Sequence, residues 1–573
     1  MLIDMIHDNH GEPPFKTRYR DPNVLKAYGY EAIVIPDALA GLPSAKPQPL
    51  PVKGHGTIDL PGSIDHRVRQ AREAGMQVFF YGDAFLLPRG LVEGNSGKYC
   101  CADQSGRICP GKAGVYEALQ KSVVELFERW PVEDGGLIMR VGEVYPEATP
   151  HMVGNAVFEP SCPVCRGMSA VERQRRFIRA MHETVVEKLG RTYVHRAWHA
   201  AGAEAGPTMH DDVGVYREVT AELPQSERLA FSFKLTRGDF RYGQPYNPVL
   251  QADGAKPDGR PKWIELQCQR EYEGKGAFPS FQAVAWSEFL ETSGLLTANP
   301  AAGGPVPQAE LRFPLRMPTA PLPGRVLKPG YSLWGWSRGG GWGGPYVQRE
   351  EWVDANVYAL GRFHRDPGVT PRQLAREWSA KEFGIDGHTG AADVLTDLLL
   401  RSGPTIHHLV SSSLPELGDI HALRDDHLDI EALWLAAGRV AEPATAADAA
   451  CDEKLSALQG IEHARRLFEH VVLELPNRSQ ARDVANTLTF YNSFAGAVAH
   501  AFCGFVRYMQ WDRGGKTNAI LAAQATDHLE HAQAHWLHHT QRHTMLPGAP
   551  SVFHENTFWE RTNGCMEELE KEN

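Results

Sequence analysis

Apolar runs in this chain repeatedly end in charge. Residues 135–143 close on Arg140 and Glu143, and 192–198 carry Arg196. Residues 229–235 run into Lys234, Arg237 and Asp239, and 263–269 lead to Glu271 and Glu273. Two carboxylates across a cleft can divide acid and base work: one, protonated, donates to a leaving oxygen, and the other, ionised, activates water or attacks carbon. That is the apparatus of glycoside hydrolysis. The cations suit a second task. Arginine offers a planar fork that grips a carboxylate through two parallel hydrogen bonds. Convergence of Arg140, Arg196 and Lys234 would therefore hold an anionic substrate group. A sugar carrying a carboxylate, a uronic acid, satisfies both halves. The plain alternative for any one charged strand end is a solvated rim.

These residues need a scaffold that brings distant strand ends together. Eight strand-like runs occur in the first 340 residues: 2–6, 31–36, 77–82, 135–143, 192–198, 229–235, 263–269 and 331–336. Helical periodicity lies between several of them, as in Val115, Leu119, Val123, Leu126 and Trp130, and again over 169–189. Strand alternating with helix predicts parallel strands, and eight such units predict an α/β fold, a (β/α)8 TIM barrel over residues 1–345. A doubly wound open sheet is the structural alternative. In such a barrel the functional groups sit at the C-terminal ends of the strands. From residue 346 to 573 the strand signal gives way to helical patterns, which predicts an all-α C-terminal domain. One of them has Thr370 as cap and Pro371 at its first position.

Within 263–269, Ile264, Leu266 and Cys268 alternate with Glu265, Gln267 and Gln269, so the apolar set is the expected buried face. Gly274 and Gly276 beyond Glu271 are expected to keep the backbone thin and leave a sugar room.

The net charge of −11 and a 23% share of charged residues describe an ordinary soluble protein, not a general binder of nucleic acid or anionic membranes. The opening MLIDMIHDNH has no apolar core of a secretory signal, and the run 493–506 is too short to span a bilayer. The expected setting is cytoplasmic, with reduced thiols.

Four strand segments and one helical stretch resemble the α-glucuronidases of glycoside hydrolase family 67. IELQCQREYEGKG is similar to the family's strand-seven motif, with Arg270 before Glu271 and Lys275 where the motif ends in Gln. FKLTRGDF repeats its Lys-x4-Asp-Phe spacing with Lys234 and Asp239, and HRAW resembles its Trp-Arg-Ala-Phe segment around Arg196. GLIMRVGEVYP resembles the strand holding the general acid, although Arg140 here precedes Glu143 by three residues instead of four. Residues 342–378 resemble the start of the family's helical domain, with Asn356, Tyr358, Gly361 and Arg362 in its Asn-x-Tyr-x-x-Gly-Arg pattern. The resemblance covers roughly residues 1–380. It implies an inverting, exo-acting hydrolase that removes a terminal uronic acid. Glu143 would be the acid, Asp239 and Glu271 the candidates for activating water, and Arg196 a binder of the substrate carboxylate. The family normally carries an N-terminal β-rich domain before the barrel, whereas the first predicted strand here is 2–6, so the resemblance implies the fold and uronide chemistry ahead of a particular xylan-derived substrate. A catalytically silent uronide-binding protein and a hydrolase of another acidic glycan are the alternatives.

Cys100, Cys101, Cys109, Cys162 and Cys165 cluster in the sequence. In a barrel they fall in the neighbouring loops after strands three and four. Cys101 (or Cys100), Cys109, Cys162 and Cys165 would suit a tetrahedral structural zinc, with free thiols as the alternative. No cofactor is expected for catalysis. RGGGWGG, 338–344, reads as a loop presenting Trp342 for stacking on a sugar face. His7, Asp8, His10 and Glu12 would line the same rim. His528, His531, His535, His538 and His539 recur at helical spacing, as a polar face or a metal stripe. The expected partner is a uronic-acid-containing oligosaccharide, with no nucleic acid and no membrane, and a homodimer is allowed for.

Overall fold

The structure, a computed structural model, describes residues 1–8, 16–47, 50–52, 56–102, 107–141, 152–154, 162–198, 208–298, 325–339, 350–414, 417, 420, 422–424, 427–543 and 557–572. Eight parallel strands close into a barrel: β1 Leu2–Ile6, β2 Ala32–Pro36, β3 Gln77–Asp83, β4 Gly136–Arg140, β5 Thr192–Arg196, β6 Leu229–Lys234, β7 Lys262–Gln267 and β8 Tyr331–Arg338. Sequential strands are neighbours throughout, and β8 closes on β1. The (β/α)8 barrel is therefore the fold, and the open-sheet alternative falls.

Because side chains alternate along a strand, every second residue points into the barrel. The floor is apolar and aromatic, made by Ile3, Met5, Ala32, Val34, Phe79, Tyr81, Ile138, Val194, Ala230, Trp263, Trp334 and Trp336. Two residues further along the same phase come Asp83, Arg140, Arg196 and, on β7, Glu265 and Gln267. This register corrects the reading of β7. Glu265 and Gln267 are not its exposed face; they are buried inside the barrel, while Ile264, Leu266 and Cys268 pack outward into the main core.

The outer layer follows from local signals. Helix α1 (Pro22–Tyr28) starts at an Asp21 cap, with Pro22 at its first position. It is followed by α2 (Leu60–Glu73), α3 (Ala113–Arg129), α4 (Ala170–Met181, continued by a π-helical stretch to Lys188), α5 (Val213–Thr220), α6 (Pro248–Ala255) and α7 (Ala283–Thr292). The eighth position is filled by α8, Glu351–Arg365, which packs on β8 and α1. This helix lies among those the sequence groups with the C-terminal domain. Gly361 marks its close approach to α1, since a Cβ there would stand 2.2 Å from the Tyr28 carbonyl oxygen.

Among the described residues seven α-helices follow: α9 Pro371–Phe383, α10 Gly390–Val410, α11 Ile430–Val440, α12 Ala444–Val471, α13 Arg478–Arg513, α14 Ala519–His543 and α15 Thr557–Glu572. Thr370 caps α9 through the Gln373 amide, as its sequence predicts. Residues of α9, the first half of α10 and the start of α13 share the barrel's outer core, and the rest form a second core. Among the described residues, no helix is long and apolar enough to cross a membrane.

Candidate active site

The barrel's C-terminal mouth holds a ring of paired charges. Arg196, on β5, donates through Nε and Nη2 to the two carboxylate oxygens of Glu265 at 2.7 and 2.6 Å, and through Nη1 to the Tyr81 hydroxyl at 3.2 Å. The Trp336 ring lies 5.3 Å from its guanidinium carbon. Both charged groups are buried. Burial opposes the charge on Arg196, but Glu265 outweighs it and holds the guanidinium protonated well above its usual range. Arg140, on β4, makes the same two-pronged contact with Asp83 of β3, at 2.6 and 2.8 Å. Two of the predicted substrate cations thus face a carboxylate of the protein.

Lys234 closes β6 and pairs with Asp239 in the loop that follows. Its ammonium also lies 3.5 Å from the centre of the Trp198 ring and 4.4 Å from that of Phe240, a cation–π setting. The second Asp239 oxygen accepts from the Tyr272 hydroxyl at 2.8 Å, and Oδ1 accepts from the Phe240 amide at 2.9 Å. Burial raises the Asp239 pKa, but Lys234 and Tyr272 prevail and bring it down to about 2. Its side chain keeps 21% of its surface exposed. Asp239 is therefore an ionised acceptor reachable from the mouth.

Glu271 and Tyr272 sit on the turn after β7. The Glu271 amide donates to Gln267 Oε1 at 3.0 Å, which anchors the turn to an inward residue of the strand. Glu273, two residues on, is spent on structure. It pairs with Arg270, and it accepts from the Tyr242 amide, Ser280 and Gln282. Asn356 of α8 secures the same loop, donating to the carbonyls of Cys268 and Ser280 at 3.0 and 2.9 Å and accepting from the Gln282 amide at 2.8 Å. The glycines do not open space for a sugar. Gly274 has φ +88° beside the Phe278 ring, and Gly276 has φ +87° against Val353, so both serve the turn and its packing.

The mouth thus brings together Arg140, Arg196, Lys234, Asp239 and the loop of Glu271. Glu143, Trp342, His10 and Glu12 lie outside the described residues. His7 faces Tyr81 and Trp336 with ring centres 6.2 and 6.0 Å away, and Asp8 pairs with Arg20. Arg237 is exposed on the rim. Asp83, Glu265, Tyr81 and Trp336 are site residues that the sequence reading did not single out. The signal for Glu265 was its phase with Trp263, and for Asp83 its place one residue beyond an apolar run.

In the loops beyond this ring of charges, the Sγ atoms of Cys101, Cys109, Cys162 and Cys165 lie within 4.8 Å of one another. Cys100 packs instead in the main core. The histidines of α14 do not form a single stripe. His528, His531 and His535 surround His500 of α13, while His539 is buried against Phe490 and Trp536.

No family model and no curated protein matches the sequence. Among solved structures, a GH138 enzyme targeting pectin rhamnogalacturonan II superposes with a TM-score of 0.56 at 12% identity, covering 99% of this chain and 67% of that one. CpGH84D is similar with a TM-score of 0.41 at 9% identity, over 98% of this chain and 75% of its own. At such identities the likeness is one of fold.

Proposed function

We propose that the protein is an exo-acting glycoside hydrolase that removes a terminal uronic acid from an oligosaccharide, α-glucuronidase-like and inverting. The observation that carries this reading is Asp239, held ionised by Lys234 and Tyr272 at a barrel mouth beside the half-buried Trp198 ring. An aromatic face beside polar groups suits a sugar ring, which has both kinds of surface. A carboxylate with a pKa of about 2 is a weak proton acceptor, so Asp239 orients the water or the sugar hydroxyls. Glu271, one residue before Tyr272, takes the role of base, and Glu143 that of acid. The inverting geometry requires those two carboxyls to stand about 6.5–9.5 Å apart.

Arg140 and Arg196 contribute a positive wall whose charge is already balanced by Asp83 and Glu265. A uronic acid would enter as an additional anion shared among these cations and Lys234. The likeness to an enzyme that targets a pectin rhamnogalacturonan widens the substrate class from glucuronoxylan fragments to acidic plant glycans in general.

The test is release of free uronic acid from a panel of aldouronic and pectic oligosaccharides, with the anomer of the first product followed by proton NMR. Glu143→Gln and Glu271→Gln should each lower turnover by about 10²–10⁴-fold, and Asp239→Asn should weaken it through lost orientation. Undiminished product formation in both glutamine variants, or no release from any member of the panel, would overturn the assignment.

A further inference from the structure

Two loops of the barrel mouth meet at a cluster of sulfur. We propose that Cys101, Cys109, Cys162 and Cys165 form a closed four-thiolate zinc site that staples the loop after β3 to the loop after β4. The Sγ atoms of Cys109 and Cys162 are 3.5 Å apart, those of Cys162 and Cys165 3.5 Å, and those of Cys101 and Cys165 3.9 Å. Four sulfurs at a Zn–S distance of about 2.3 Å stand about 3.8 Å from one another along the edges of a tetrahedron. All four thiols are buried, and they form a cluster of their own, separate from both hydrophobic cores.

The backbone around them is built to present the sulfurs. Residues 99–102 and 107–109 pair antiparallel, with the Cys101 amide donating to the Arg107 carbonyl and the Cys109 amide to the Tyr99 carbonyl, both at 2.8 Å. On the other side, Cys162-Pro-Val-Cys165 forms a tight turn in which the Cys162 amide donates to Cys165 Sγ at 3.3 Å. That bond orients a ligand from the second layer, as metal sites require. Four thiolates and one divalent zinc leave two negative charges, and two cations flank the cluster. The buried Arg173 guanidinium donates to the Cys165 carbonyl at 3.0 Å, and the Lys112 ammonium donates to the Cys100 carbonyl at 2.5 Å. An all-sulfur tetrahedral set selects zinc or iron, and with four protein ligands it leaves no position for substrate. The role is to fasten.

What it fastens is specific. The loop after β3 runs from Asp83 to α3 and supplies Cys101 and Cys109; the loop after β4 runs from Arg140 to α4 and supplies Cys162 and Cys165. The same loops are joined once more, where Leu87–Pro88 pairs with Met152–Val153. Metal and ribbon together would join the two loops at two places.

The experiment is elemental analysis of the full chain, produced with zinc in the medium and dialysed against metal-free buffer. About one zinc per chain is expected, released as an organomercurial titrates the thiols and read with a colorimetric chelator. Cobalt substitution should give the intense visible bands of tetrahedral sulfur ligation. The Cys162→Ser/Cys165→Ser variant should lose about nine-tenths of the metal. Because that variant can fail to fold, the mercurial titration of the unaltered chain stands as an independent readout. Limited proteolysis should cut the stripped protein in the two stapled loops at least tenfold faster than the loaded one. Absence of zinc, iron in its place, metal retained by the serine variant, or equal proteolysis of both forms would overturn the proposal.

Discussion

Individual side chains in this barrel are tuned by where alternation puts them. Asp4 shows it on the outward face of β1. It is buried, and its oxygens accept from the Ser337 amide at 2.9 Å and the Ser337 hydroxyl at 2.7 Å. Burial raises its pKa to about 7, against the smaller opposing pull of Ser337 and Arg67. The folded chain therefore keeps a proton that the unfolded chain gives up near pH 4. Stability drawn from this group is complete below that pH and drains by about 1.4 kcal/mol per pH unit as pH rises toward 7. Asp4→Asn keeps the same hydrogen-bonding shape without a charge to bury. In urea titrations the variant should gain on the parent between pH 5 and pH 8. A constant difference at the two pH values would refute the assignment. Glu265 is a contrasting case: equally buried, it is gripped by both prongs of the Arg196 guanidinium.

Elements fix the site through contacts that sequence motifs hint at without explaining. Asn356, part of the Asn-x-Tyr-x-x-Gly-Arg pattern, is the pin by which α8 holds the loop of Glu271. Asn356→Ala would leave two carbonyls and one amide of that loop without their partner, a loss of about 1–3 kcal/mol for each unsatisfied buried group. We expect lower stability together with a drop in turnover, measured by thermal denaturation and by uronic acid release. Full activity in a folded variant would show that the loop needs no such pin. Strand and helix periods were legible because apolar burial imposes them; all eight barrel strands fall within the predicted runs, give or take one or two residues. The pairings were not legible. Which carboxylate meets Arg140 or Arg196 depends on the neighbouring strand's register, which only closure of the barrel fixes. The polar half of β7 was misread for a related reason, since an alternating strand usually turns its polar face to water and here it lines the mouth. The eighth helix was hard to separate from those that follow, because its periodicity resembles theirs.

At the scale of the whole molecule, Phe278 is one joint between barrel and helices. This residue leaves the loop of Glu271 and enters the second core, stacking on Tyr491 with ring centres 4.4 Å apart and planes 8° apart, near Phe494. Phe278→Ala would open a cavity between barrel and helices and cost about 3–5 kcal/mol. A lower melting temperature and weakened turnover are expected, whereas Phe278→Leu should restore most of both. If the alanine variant melts like the parent, the two cores are not coupled here. The joint also has a consequence for how the protein is made. A ribosome delivers all eight strands before it reaches residue 491, so the loop of Glu271 is threaded long before its anchor has been translated. Maturation of activity should lag behind closure of the barrel, and a nascent chain released early would be a shaped but idle vessel.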